Sequence, residues 1–162
     1  MSEVILKSSS IVLEKHKLVI DIFEGVVNLP IFKAHKLKQA ADKLFSPDYS
    51  LLSDFNRITV DMLLEELPEY ANFVIAQGNI VGKRKSAVVT SNPHQMIYAQ
   101  VYDKSVRDIT SQTIQIFTSF NPAIEFLDMK DFKDEILDAI NYYRENPRFY
   151  WSADGTLLVE KF

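Results

Sequence analysis

Short apolar runs alternate along this chain with longer stretches in which apolar residues recur every three or four positions. Leu18-Val19-Ile20-Asp21-Ile22-Phe23 is rich in β-branched residues and reads as a buried strand closed by Gly25. Ile11 to Glu14 reads as a shorter strand before it, with Lys15-His16-Lys17 as the charged tip of a hairpin. Tyr49 to Phe55, Ala87-Val88-Val89 and Thr113 to Thr118 supply three more strands. Ala87-Val88-Val89 lacks polar alternation, the pattern of a strand covered on both faces. Lys83, Arg84 and Lys85 mark its solvated start.

The helical stretches lie between these runs. Ile31, Ala34, Leu37, Ala41, Leu44 and Phe45 predict a helix over 30–45 whose other face is basic, with Lys33, Lys36, Lys38 and Lys43. Leu63, Leu67, Tyr70 and Val74 predict the next, capped by Thr59 and Asp61 and broken near Leu67 by Pro68. Asn92 and Pro93 suit the cap and first position of a third helix reaching about Ser111. Asn121 and Pro122 repeat that device, and the apolar stripe from Phe126 to Tyr143 carries a helix to about Glu145, interrupted near Asp128. The tail has Phe149-Tyr150-Trp151, then Asp154-Gly155, then Thr156 to Phe162, a hairpin pattern. The order ββαβαβαβα plus this C-terminal hairpin predicts an α/β fold, a mostly parallel five-stranded sheet with helices on its faces and right-handed crossovers.

Three stretches carry a family resemblance. They are Phe23-Glu24-Gly25 at the end of the first strand pair, Leu51-Leu52-Ser53-Asp54-Phe55, and Lys85-Ser86-Ala87-Val88-Val89 with the later Ile116-Phe117 and Ala123-Ile124-Glu125-Phe126-Leu127. With the element order, they resemble the SpoIIAA-like family, the STAS-like fold of bacterial anti-anti-sigma factors and of lipid-binding CRAL-TRIO relatives. The resemblance implies a domain over 1–128, with 129–162 a helix and hairpin extension of it. The phosphorylated serine of the anti-anti-sigma factors has no counterpart: Thr59-Val60-Asp61-Met62-Leu63 stands there, with no serine after Asp61.

Composition narrows the classes. The 162 residues are 47% apolar and 25% charged, ordinary for a globular chain with one core. The net charge of −4 disfavours general nucleic-acid binding. Without cysteine there is no disulfide, thiolate nucleophile or cysteine-ligated metal. The first ten residues do not read as a signal peptide and no apolar run reaches membrane-spanning length, so a cytoplasmic location without integral membrane association is expected.

Ligands of open parallel sheets bind beyond the carboxyl ends of the strands. The residues expected there are Asp54, Asn56 and Arg57, then Thr90, Ser91, Asn92 and His94, then Thr118, Ser119 and Asn121. Helix N-termini and Arg57 would favour an anion, and the same hydroxyl and amide residues serve equally as helix caps. No glycine-rich phosphate loop, metal-ligand spacing or nucleophile elbow is present, so no cofactor and no metal are expected. Asp54 with His94 is the one pair an enzyme would use. The acidic run from Asp128 to Asp138 lacks the pattern of a calcium loop. Phe149, Tyr150 and Trp151 either cover a sheet edge or form an interface.

The sequence thus points to a non-enzymatic regulatory or protein-interaction module, with a protein partner or a second copy of itself. The alternative is a small lipophilic-ligand carrier, as in CRAL-TRIO domains, with Met62, Leu63, Tyr70 and Phe73 lining a cavity of several hundred cubic ångströms. Its ligand would be small and lipophilic or anionic.

Overall fold

A computed structural model of the chain describes residues 3–107 and 110–162. Strand β1 (Leu6–Leu13) and strand β2 (Leu18–Val27) form the expected hairpin, joined by a 3-10 turn over Glu14–His16 and by Lys17 in the left-handed conformation. Helix α1 (Leu29–Ala40) follows, then β3 (Ser50–Val60), α2 (Leu67–Gln77), β4 (Lys85–Val89), α3 (Pro93–Val106), β5 (Thr113–Phe117), α4 (Phe120–Phe126), α5 (Lys133–Glu145), β6 (Phe149–Trp151) and β7 (Leu157–Glu160).

The sheet is mixed and has seven strands in the order β5-β4-β3-β2-β1-β6-β7, not the five mostly parallel strands expected. Pairings β2–β3, β3–β4 and β4–β5 are parallel; β1–β2, β1–β6 and β6–β7 are antiparallel. The difference has a physical cause. The hairpin leaves the outer edge of β1 with unpaired backbone groups, and the tail supplies β6 to pair with it. Phe149 and Trp151 then point into the core, each 3% exposed, while Tyr150 between them stays half-buried. As a surface for a partner the aromatic run is reduced to Tyr150.

Alternation along the central strands builds two layers. Leu18, Ile20 and Ile22 of β2 face α4 and α5 with Leu52, Ala87 and Val89, and meet Ile124, Ile136 and Ile140 there. Phe23 and Val27 face α1, α2 and the tail strands, with Ile31, Tyr70, Val74, Phe149 and Trp151. Residues 129–162 thus supply both strands and core side chains.

Several local expectations are corrected. β3 runs on to Val60, so Thr59 is a strand residue and caps nothing. Pro68 falls in the first turn of α2 and leaves the helix unbroken. α4 begins at Phe120, which puts Asn121 inside the first turn with no cap bond. Residues 108 and 109 of the predicted third helix lie outside the described residues. His16 is not a bland tip residue: its Nε2 sits 2.7 Å from Glu135 Oε2 and its ring stacks on Phe132, tying α5 to the hairpin. Among the described residues no helix is long and apolar enough to cross a membrane.

Candidate functional site

The strand-end residues are only partly brought together. Asp54 is buried and accepts from Arg144 Nε of α5 at 2.7 Å and from the Asn56 amide. Asn56 Oδ1 in turn accepts from the Ser91 backbone N–H at 3.2 Å, which joins the ends of β3 and β4. Thr90 is buried and takes the Asn92 N–H on its hydroxyl, and Asn92 caps α3 by accepting from His94 N at 2.8 Å. His94 is exposed, with its ring edge-on to Tyr98. It makes no contact with Asp54, so the expected pair is not assembled. Arg57, Thr118, Ser119 and Asn121 are exposed.

The chemistry lies instead on the face that α1, α2 and α3 cover. Asp21 interrupts the β-branched run of β2 and points at α1, fully buried. It accepts from His35 Nε2 at 2.8 Å, from Gln39 Nε2 at 2.6 Å and from Lys36 Nζ. Helical spacing puts those three donors on one side of α1, which therefore is not the basic outer face expected. His35 Nδ1 lies 2.9 Å from Ser8 Oγ, and Ser8 Oγ accepts from Trp151 Nε1 at 2.8 Å. Indole N–H only donates, so Ser8 Oγ is the acceptor of that bond.

Serine, imidazole and carboxylate in a row is the arrangement of nucleophilic catalysis. Here it is sealed: Ser8, His35 and Asp21 are each at most 1% exposed and Trp151 covers the hydroxyl. The row holds β1, α1 and β6 against β2. Burial alone would raise the Asp21 carboxyl, but the charges of Lys36 and His35 and their hydrogen bonds hold it well below the usual carboxylate range. Burial lowers the Lys36 ammonium; Asp21 opposes that and the Arg84 guanidinium adds to it.

A cavity opens beside this network. Its walls come from β2, β3, β4 and the three helices, with Phe23, Phe32, Phe55, Ile58, Met62 and Tyr70 as apolar lining and Lys36, Arg84, Gln95, Tyr98, Tyr102 and Gln112 as polar lining. Its volume is about 80 Å³, where one water needs about 10–15 Å³. The space is thus well below the several hundred cubic ångströms expected of a lipid carrier, because aromatic rings fill it: Phe32 stacks on Tyr70 at 4.9 Å and Phe55 abuts Phe23 at 5.5 Å. Of the expected lining, Met62 and Tyr70 are in place and Leu63 is 66% exposed.

Arg84, expected at the solvated start of a strand, is only 6% exposed. Its Nε donates to Gln112 Oε1 at 2.7 Å and its Nη1 to the Ile80 carbonyl at 3.2 Å. No carboxylate of the described residues pairs with it. Burial lowers its affinity for the proton, against the pull of Tyr102, Asp21 and Tyr70. Burial raises the Tyr70 and Tyr102 phenols, which stay neutral. Two buried polar atoms on the cavity wall, Gln95 Oε1 and Gln112 Nε2, have no hydrogen-bond partner. Such atoms are costly when left dry. Among the described residues no cluster of His, Asp and Glu is placed to hold a metal ion.

The chain is similar to the solved structure of an uncharacterised protein of the DUF3478 family, with a SpoIIAA-like fold, from Shewanella loihica PV-4. The two share 14% identity over 78% of this chain and 98% of the other, with a TM-score of 0.49. No family model matches the chain, and no curated protein matches it.

Sequence reading missed Asp21, His35, Lys36, Arg84, Gln95, Tyr102 and Gln112. One signal was available: a lone aspartate inside a β-branched run needs buried donors, and His35, Lys36 and Gln39 follow on the next helix.

Proposed function

We propose that this protein is a non-enzymatic binding module that holds a compact lipophilic small molecule in the cavity between the sheet and α1, α2 and α3. The observation that carries this is the cavity itself, walled by aromatic rings and carrying buried polar atoms without partners. Small-molecule sites have this make-up, an apolar wall with few polar groups. The sealed state of Ser8, His35 and Asp21 favours binding over catalysis. The regulatory or partner-binding reading has the exposed Arg57, Ser91, His94, Thr118, Ser119 and Asn121 as its surface.

The test is NMR shift mapping on the full chain with four probes, hexanoate and benzoate and their neutral amides, alongside native mass spectrometry of the protein as purified. At least one probe is expected to give saturable shifts at Ile58, Gln95 and Ala99, and these vanish when Ala99→Leu fills the cavity. Saturation by none of the four, or shifts that survive Ala99→Leu, overturns the reading. The native spectra report in the same run whether a second copy is bound.

A further inference from the structure

The charges around the cavity do not balance. Among the described residues, Asp21 is the buried carboxylate on this face of the sheet, and Lys36 and Arg84 are the buried lysine and arginine beside it. Lys36 is spent on Asp21. Among the described residues Arg84 has only neutral partners, Gln112 Oε1 and the Ile80 carbonyl. A guanidinium keeps its proton in proteins, and an isolated buried charge is among the costliest features a core can carry. Beside it stands a second, independent feature, the unpartnered Gln112 Nε2 on the same wall. Gln112 receives from Arg84 on its oxygen, so its N–H group is turned to donate elsewhere. The Nη2 of Arg84 also makes no hydrogen bond among the described residues. Arg84 Nη2 and Gln112 Nε2 are thus free donors on a wall where Gln95 Oε1 is a free acceptor, and the Arg84 guanidinium has no carboxylate partner among the described residues.

We infer that the ligand is a compact amphipathic monoanion, an apolar body bearing one carboxylate, and that the carboxylate pairs with Arg84 and accepts from Gln112 Nε2. This rests on the cavity being the binding site. One negative charge balances the interior, which a neutral lipid leaves positive and a phosphate dianion overcompensates. The aromatic lining receives the apolar body, and the roughly 80 Å³ of free space limits it to a short chain or one ring.

Isothermal titration of the full chain with benzoate and benzamide, and with hexanoate and hexanamide, tests this. Each pair has nearly the same shape and differs in charge. The acid is expected to bind about tenfold to a hundredfold more tightly than its amide, the range of a charge-assisted hydrogen bond. Arg84→Met is expected to abolish that preference while the amides still bind. Gln112→Leu, which leaves the guanidinium in place, is expected to reduce it. Equal affinity for acid and amide, or a preference that survives Arg84→Met, overturns the inference and leaves the cavity as a neutral site. Where Arg84→Met does not fold, the acid-to-amide ratio in the wild-type chain and in Gln112→Leu decides. Binding of none of the four compounds removes both this inference and the cavity reading.

Discussion

Trp151 Nε1 donates a hydrogen bond of 2.8 Å to Ser8 Oγ, across 143 residues of sequence. The bond places the tail inside the core. Trp151→Phe keeps one aromatic ring but removes the donor and the pyrrole part of the indole. It is expected to cost at least about 1–3 kcal/mol, the loss of a buried hydrogen bond with its partner left dry, with a cavity term added. Guanidinium unfolding of Trp151→Phe, Ser8→Ala and the double variant measures it, and the two single losses should not add. Removing 147–162 takes Phe149 and Trp151 out altogether and bares the edge of β1. Loss of cooperative unfolding is expected, rather than a folded chain with an altered oligomeric state.

Asp21 is the anchor of the buried network and should dominate acid stability. Its folded value lies below the ordinary 3.8, so the folded state binds fewer protons there than the unfolded chain. The stability it contributes is complete above about 3.8 and lost as the pH falls below that value toward its folded one. Asp21→Asn leaves Lys36 buried without its anion and is expected to cost about 3–5 kcal/mol at neutral pH. Stability of the variant measured from pH 7 down to 2 should lose much of the acid slope seen in the wild type. A variant with an unchanged slope would show that other carboxylates control acid unfolding.

How far the sequence was legible follows from which residues act locally. The runs at Leu18–Phe23 and Ala87–Val89 are buried on both faces and show it in composition alone. The caps at Asn92 and the hairpin turn at Asp154-Gly155 need only neighbouring residues. The expected first strand starts at Ile11, whereas β1 begins at Leu6 and takes in Ser8, Ser9 and Ser10. They are strand residues whose hydroxyls meet Trp151 and His35, the Arg148 N–H and Gln39, all distant in sequence. Charged residues are exposed by default, and that default failed at Lys36 and Arg84, whose partners Asp21 and Gln112 lie 15 and 28 residues away. The strand-end residues were identified from a general rule about open sheets. In this chain Arg144 reaches across from α5 to occupy Asp54, a contact no local pattern announces.

Gly25 tests the close approach at the edge of that hairpin. Its φ is +122°, and a Cβ there would lie 2.3 Å from the Ile5 carbonyl oxygen. The same carbonyl accepts from Val26 N at 2.8 Å, so it is not free to move away. Gly25→Ala is expected to cost more than the roughly 1–3 kcal/mol of an unfavourable backbone conformation, because a backbone clash is added. Gly78, with φ +72° and nothing within 4 Å of its Cβ position, is the control. Gly78→Ala should carry only the conformational part, and thermal melts of the two variants separate the terms.

Tyr98 closes one wall of the cavity, since its hydroxyl donates to the Met62 carbonyl and joins α3 to the segment before α2. That segment continues into exposed Leu63 and Leu64, and the 3-10 turn over Leu64–Glu66 is held mainly by its own Leu63 N–H bonded to Glu66 Oε1. Few buried contacts support it, so the Tyr98 bond carries much of its order. Tyr98→Phe is expected to destabilise the chain by only about 0.5–1.5 kcal/mol, the net worth of one hydrogen bond. Its effect on local opening should be larger than its effect on global stability. Hydrogen exchange is expected to quicken at residues 62–66 and stay unchanged at β2 and β3. If the cavity is entered through this wall, benzoate should associate and dissociate faster in Tyr98→Phe with little change in affinity. Faster exchange without faster association would place the route of entry elsewhere.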